Sequence, residues 1–137
     1  MWNQGRTLLL VTGASRGLGR AWAKALSARL SGGSLVALTA RTAKDLEETA
    51  ALVRREGIEV RVFEMDHGKV DSEGYRRLVY SFGTEFDSIV VVHNAGSTGK
   101  MMPVSRYDQP EEVAAYLALN YTSPAVLNSV LLQVNIR

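Results

Sequence analysis

The chain has 137 residues, room for one small domain and too few for two. Hydrophobic residues make up 46% and charged residues 22%, which excludes a disordered tail, a collagen-like repeat and a coiled coil. Lys plus Arg number 16 against 14 Asp plus Glu, a net +2 spread along the chain, so no basic arm points to nucleic acid.

With no cysteine there is neither a disulfide framework nor a thiolate metal site. A reducing, cytoplasmic setting fits that composition. The longest aliphatic runs, Leu8 to Val11 and Ile89 to Val92, fall far short of the ~20 residues that span a bilayer, so no membrane partner is expected. Residues 1–6 lack the basic-then-apolar layout of a signal peptide.

In chain order, strand-like and helix-like segments alternate. Thr7 to Val11 is a short apolar run that ends at Thr12-Gly13. Ser34 to Ala40, Glu59 to Glu64 and Ser88 to His93 are further short runs rich in Val, Ile and Leu. Near-continuous apolarity is what strands of a parallel sheet covered on both faces require. Leu18, Trp22, Ala25, Leu26 and Leu30 fall at helical spacing, and Gly32-Gly33 is read as the stop.

Thr42 with Asp45 has the spacing of a capping box, with Asp in place of Glu. Leu46, Ala50 and Val53 then share a face, and Gly57 ends the segment. Tyr75, Leu78, Val79, Phe82 and Phe86 form a third stripe. A fourth helix is expected from Pro110, capped by Asp108 or Gln109, towards Gln133. This order predicts an open parallel α/β sheet with helices on both faces and right-handed crossovers. The expected strand order is 3-2-1-4, as in the first part of a Rossmann sheet, with a ligand crevice between strands one and four.

The strongest motif is Thr12-Gly13-Ala14-Ser15-Arg16-Gly17-Leu18-Gly19, between the first strand and the first helix. Gly13 permits a tight turn, Gly17 a close approach of backbone to pyrophosphate, and Gly19 close packing of helix on sheet. The helix N-terminus offers free N–H groups and a positive dipole end to phosphate. The spacing is G-x-x-x-G-x-G rather than the commoner G-x-G-x-x-G. An acidic residue ending the second strand would bind a ribose 2′-hydroxyl; here Arg41 and Thr42 stand there, and Arg16 lies in the glycine loop. Two guanidinium groups and a hydroxyl suit a 2′-phosphate, so the sequence predicts NADPH rather than NADH.

Several other motifs fail. Gly96-Ser97-Thr98-Gly99-Lys100 looks like a phosphate loop, but Asn94 and Met101 occupy the positions that need Gly and Ser/Thr. H-E-x-x-H is not present. Met101-Met102-Pro103 is expected to pack on the rim of the sheet.

The glycine octapeptide resembles that of the short-chain dehydrogenase/reductase family. Arg41 after the second strand, Asp66 after the third, His93-Asn94-Ala95-Gly96 after the fourth and Asn120 in Ala118 to Ser123 match that family at fitting intervals over essentially the whole chain. The resemblance implies that Asp66, with the His67 backbone beside it, meets the adenine amino group. It implies that Asn94, Ala95 and Gly96 form the turn under the cofactor ribose. Gly96 is expected to supply a conformation closed to other residues. His67 stands where an apolar residue is usual, and His93 replaces an asparagine; His93 is read as a structural hydrogen-bonding group.

The resemblance also implies a helix asparagine at Asn120, one member of a catalytic tetrad. Pro124, four residues on, has no N–H for the Asn120 carbonyl, so that carbonyl is expected to be left free and the helix to kink there. The family transfers hydride between NAD(P)H and a carbonyl or alcohol with Ser and Tyr-x-x-x-Lys, and no Tyr-x-x-x-Lys is present. Tyr75, Tyr80, Tyr107, Tyr116 and Tyr121 are followed four residues on by Val79, Thr84, Glu111, Asn120 and Ala125. Val134-Asn135-Ile136 is the earliest place a fifth strand could begin, after an implausibly short loop. Residues 1–137 are therefore expected to be one incomplete NADP-binding domain, the amino-terminal half of a reductase of a small-molecule carbonyl whose parent is a homodimer.

Overall fold

A computed structural model of the chain describes residues 4–69, 71–83 and 85–135. The elements run β1 (Thr7–Thr12), α1 (Gly17–Ser27), β2 (Leu35–Ala40), α2 (Ala43–Val53), β3 (Glu59–Glu64), α3 (Ser72–Phe82), β4 (Ser88–Val92), α4 (Pro110–Leu117), a π-helical segment (Ala118–Thr122) and α5 (Ser123–Asn135). The strands form a sheet of order β3-β2-β1-β4. All three pairings are parallel, with Leu9 opposite both Val36 and Val90. Val134 and Asn135 continue α5, so no strand begins there; Ile136 lies outside the described residues.

Alternation along β1 divides the core into two layers. Leu9 and Val11 face α1 and α2, together with Val36, Leu38, Leu46, Ala50 and Val53. Leu8 and Leu10 face α3 and α5, together with Tyr75, Leu78, Val79, Leu127 and Val130. β1 and β2 are buried throughout, which is why they read as mostly aliphatic runs. β4 pairs with β1 on one side and is half-buried.

The predicted stripe holds at Leu26 and Leu30, which pack on the core, but fails earlier along α1. Leu18 is 73% exposed and Trp22 49%, and Ala25 is exposed as well; Gly19, Ala23 and Ser27 are the buried residues. Small side chains face the sheet because the helix start lies too close to β1 for larger ones. The helix also ends at Ser27, ahead of Gly32-Gly33. There Arg55 Nη2 donates to the carbonyls of Ser27 (3.0 Å) and Leu30 (2.6 Å), replacing further helical partners.

The capping box at α2 does not form. Thr42 is the N-cap residue but makes no side-chain cap bond; the Ala43 N–H donates instead to Glu64 at the end of β3, 3.3 Å away. α3 is capped by Asp71, which accepts from the Gly74 N–H at 3.1 Å. Phe86 lies beyond the end of α3, beneath the Arg6 guanidinium at 4.9 Å from the ring centre. Gln109 precedes α4 without a side-chain cap bond, and Pro110 takes the first helical position as predicted. Of Met101-Met102-Pro103, Met101 is 92% exposed, contrary to expectation, whereas Met102 is half-buried.

Candidate dinucleotide site

At the carboxyl ends of the strands lies a cleft of about 860 Å³. Its walls include Gly13, Ser15, Arg16, Gly17 and Leu18 of the first turn, Arg41 and Thr42 after β2, Asp66 and His67 after β3, and Asn94, Ala95 and Gly96 after β4. These are residues the sequence singled out. Ala14 and Gly19 support the cleft from behind: Ala14 is fully buried, and its N–H donates to the Thr39 carbonyl at 3.0 Å. Sequence reasoning missed Asp45, Met65, Ser97 and Leu119 as wall residues.

The first turn is built so that its carbonyls face the protein. Thr49 Oγ1 donates to the Ala14 carbonyl at 2.9 Å, and Arg20, itself paired with Glu48, donates to the Ser15 carbonyl. The opening N–H groups of α1 have no partners within the helix. At Gly17 (φ +54°) an added Cβ would meet nothing within 4 Å, so the backbone borders open space. Gly19 behaves oppositely. Its Cβ would fall on the Gly13 carbonyl and within 2.6 Å of Asn94 Nδ2.

Side chains join the ends of β1 and β4 where the backbone ladder stops. Thr12 Oγ1 accepts from the N–H groups of Asn94 (3.1 Å) and Ala95 (3.0 Å). Asn94 Nδ2 donates to the carbonyls of Thr12 (3.2 Å) and Gly13 (2.9 Å). Gly96 does not take a positive φ, contrary to expectation. It is small for a different reason: a Cβ would stand 2.9 Å from Asn120 Oδ1.

Asn120 holds that same loop. Its Oδ1 accepts from the Ser97 N–H at 3.1 Å, and its Nδ2 donates to the carbonyls of Ser97 and Tyr116, each at 2.9 Å. Where a kink was expected at Asn120, the chain forms a π segment, closed by the Ser123 N–H donating to the Ala118 carbonyl. His93 is the hydrogen-bonding residue expected, with Nε2 2.8 Å from Asn128 Oδ1.

Among the described residues, the side chain of neither Arg16 nor Arg41 has a hydrogen-bond or ion-pair partner, and both residues are exposed on the cleft. Asp66 Oδ1 accepts from the Gly68 N–H at 2.9 Å and shapes the turn after β3. It does not cap α3, a role Asp71 takes.

The His67 side chain turns away from the cleft into the core. Nε2 lies 2.7 Å from Thr39 Oγ1 and Nδ1 lies 2.8 Å from the Tyr75 hydroxyl, which in turn bonds Ser123. Burial, helped by the nearby His93, lowers its pKa from 6.5 to about 4 against the opposing pull of Asp66. Burial likewise pushes the Tyr75 phenol up. Both groups are therefore neutral at pH 7.

The short chain dehydrogenase family model matches residues 7–134, and the chain belongs to that family. Among curated proteins it is similar to the sepiapterin reductases of Xenopus tropicalis (34% identity) and Bos taurus (32%), in each case over 94% of this chain and 51% of the relative. The chain thus spans about half the length of the curated relatives it matches. Among solved structures it is similar to a short chain dehydrogenase from Pseudomonas syringae, at TM-score 0.79 and 26% identity over 97% of this chain and 53% of that one. It is also similar to a metagenomic short-chain oxidoreductase solved in complex with NADP, at TM-score 0.76 and 27% identity over 93% of this chain and 56% of that one. No helix among the described residues is long and apolar enough to cross a membrane.

Two predictions follow from this geometry. Gly19→Ala forces a methyl onto backbone and is expected to cost about 3 kcal/mol, read from urea unfolding. A value under 1 kcal/mol would show that the turn can give way. Second, the native state holds His67 neutral where the unfolded chain binds a proton, so stability is expected to fall as pH drops from 6.5 towards 4. The loss is on the order of 3 kcal/mol at most, and His67→Gln should flatten that part of the pH profile.

Proposed function

We propose that the chain is the cofactor-binding half of an NADPH-dependent carbonyl reductase. The observation that carries this reading is the pair of unpartnered guanidinium groups, Arg16 and Arg41, facing one cleft beside the glycine turn. A 2′-phosphate dianion suits them and Thr42, whereas a bare ribose hydroxyl leaves both charges without a counterion. The N–H groups at the start of α1, bordered by the open space at Gly17, suit the pyrophosphate. Asp66 would receive the adenine amino group, and Asn94 to Gly96 would line the ribose nearer the reacting end. Bound there, the nicotinamide supplies a hydride.

The resemblance to sepiapterin reductases supports a pterin side-chain ketone as the parent's substrate, and with it a role in tetrahydrobiopterin synthesis in the cytoplasm. A homodimeric parent is part of the same reading. Asn120 would serve the proton path through its backbone, since its side chain is spent on Ser97 and Tyr116.

A second reading is favoured by the sequence: no Tyr-x-x-x-Lys is present, so no phenol of that motif is available to donate a proton. On this reading the 137-residue chain binds NADPH without turning it over, as an inactive or regulatory form.

Calorimetric titration is expected to show NADPH binding about 10–100-fold more tightly than NADH, the worth of charge-assisted hydrogen bonds to the phosphate. Arg41→Asp should reverse that preference; equal affinities in the unaltered chain would reject the 2′-phosphate assignment. The purified 137-residue chain is expected to show no NADPH oxidation with a dicarbonyl substrate, and turnover would overturn the second reading.

A further inference from the structure

His67 is the one buried imidazole of the chain's described residues, and nothing in the proposed chemistry uses its side chain. Yet it sits between two parts of the cleft. Thr39, next to the cleft-lining Ala40, carries both: its carbonyl accepts from Ala14 of the glycine turn at 3.0 Å, and its hydroxyl meets His67 Nε2 at 2.7 Å. His67 in turn follows Asp66 directly, in a turn closed by the Gly68 N–H on Asp66 Oδ1 and the Lys69 N–H on the Asp66 carbonyl.

We propose that His67 is a positioning residue: its Nε2 bond to Thr39 fixes the Asp66 turn at a set distance from the glycine turn, and so sets the adenine edge of the cleft. This rests on the reading of the cleft as a dinucleotide site.

The two ring nitrogens do different work. The Nε2 arm reaches the strand that also anchors the glycine turn. The Nδ1 arm leads away from the cleft, through Tyr75 of α3 to Ser123 of α5, with the His67 and Tyr75 rings stacked at 5.7 Å. A neutral imidazole has one donor and one acceptor, so it serves both arms at once. Thr39, His67, Tyr75 and Ser123 are all buried and all partnered, and loss of either arm strands a buried hydroxyl. Cutting the Nδ1 arm should therefore weaken the fold alone. Cutting the Nε2 arm should weaken the fold and also displace Asp66 relative to Arg16 and Gly17.

The test separates the arms by variant. Glutamine places its terminal amide near the Nε2 position and asparagine near the Nδ1 position. The full 137-residue chain and the variants His67→Gln, His67→Asn, Thr39→Val and Tyr75→Phe are titrated with 2′,5′-ADP, and each is also unfolded thermally. His67→Asn and Thr39→Val, which lose the Nε2 arm, are expected to bind about tenfold more weakly, the worth of one buried hydrogen bond. His67→Gln and Tyr75→Phe are expected to stay within about twofold of the unaltered chain, although both melt at lower temperature. Affinity that simply tracks the melting temperature across the series would overturn the proposal, as would undiminished binding by Thr39→Val, which leaves His67 in place. Failure of the unaltered chain to bind 2′,5′-ADP would instead bring down the reading of the cleft, and this inference with it.

Discussion

The cleft exists because the first turn and the end of β4 approach more closely than side chains ordinarily allow. Gly13 would place a Cβ 2.9 Å from the Ala95 Cα, and Gly19 would place one on the Gly13 carbonyl. Past the last ladder pair, Val11 opposite Val92, the strands stop pairing through backbone, and the Thr12 and Asn94 side chains take over with four hydrogen bonds joining Thr12-Gly13 to Asn94-Ala95. At ~1 kcal/mol each these bonds are modest. Their effect is geometric: they fix the start of α1 against a strand that lies on the far side of β1 from β2. The sheet order reverses direction there, and that reversal leaves the crevice.

How legible this was in the sequence depended on the range of the interaction. The aliphatic strands were readable because burial on both faces leaves β1 and β2 mostly aliphatic. β3, with one side unpaired, is partly exposed and alternates as Glu-Val-Arg-Val-Phe-Glu rather than reading as near-continuous apolarity; its short length and Val content marked it. The glycine turn was readable because its spacing is local. Contacts made by residues far apart in sequence were not. Glu64 displaces the local cap at α2, and Arg55 ends α1; neither could be paired with its target from periodicity. The stripe on α1 failed at Leu18, Trp22 and Ala25 for a related reason: the close approach at Gly19 dictates which face of the helix start turns inward, and it overrides the larger hydrophobic residues there. The buried chain through His67 spans β2 to α5, and Thr, Tyr and Ser carry no common pattern. Its one available signal was a histidine following Asp66 where the family resemblance expects an apolar residue.

Charge marks the cleft more sharply than shape does. Arg6, Arg20, Arg54, Arg61 and Arg76 each meet a carboxylate. Arg16 and Arg41 do not, although both lie on one wall. Asp66, the carboxylate nearest the expected adenine, already gives one oxygen to Gly68. A solvated arginine needs no partner, so an isolated example would signify little. Two lining the same cleft, beside N–H groups left unsatisfied by a helix start, are the basis of the 2′-phosphate proposal, with Asp45 and Asp66 the carboxylates that line it too.

Pro124 reaches the cleft by an indirect route. It cannot supply the N–H that an α-helix would offer the Asn120 carbonyl, and the chain passes through a π segment over Ala118–Thr122 instead. In a regular helix residues three apart share a face. A wider π turn opens the angle between them. Asn120 can then hold the backbone of Ser97 while Ser123, three residues on, turns inward to Tyr75. After it, Leu127, Val130 and Leu131 pack on Leu78, Val79 and Phe82 of α3. One missing hydrogen thus lets a single continuous helix steady the loop after β4 and close the core beneath the sheet.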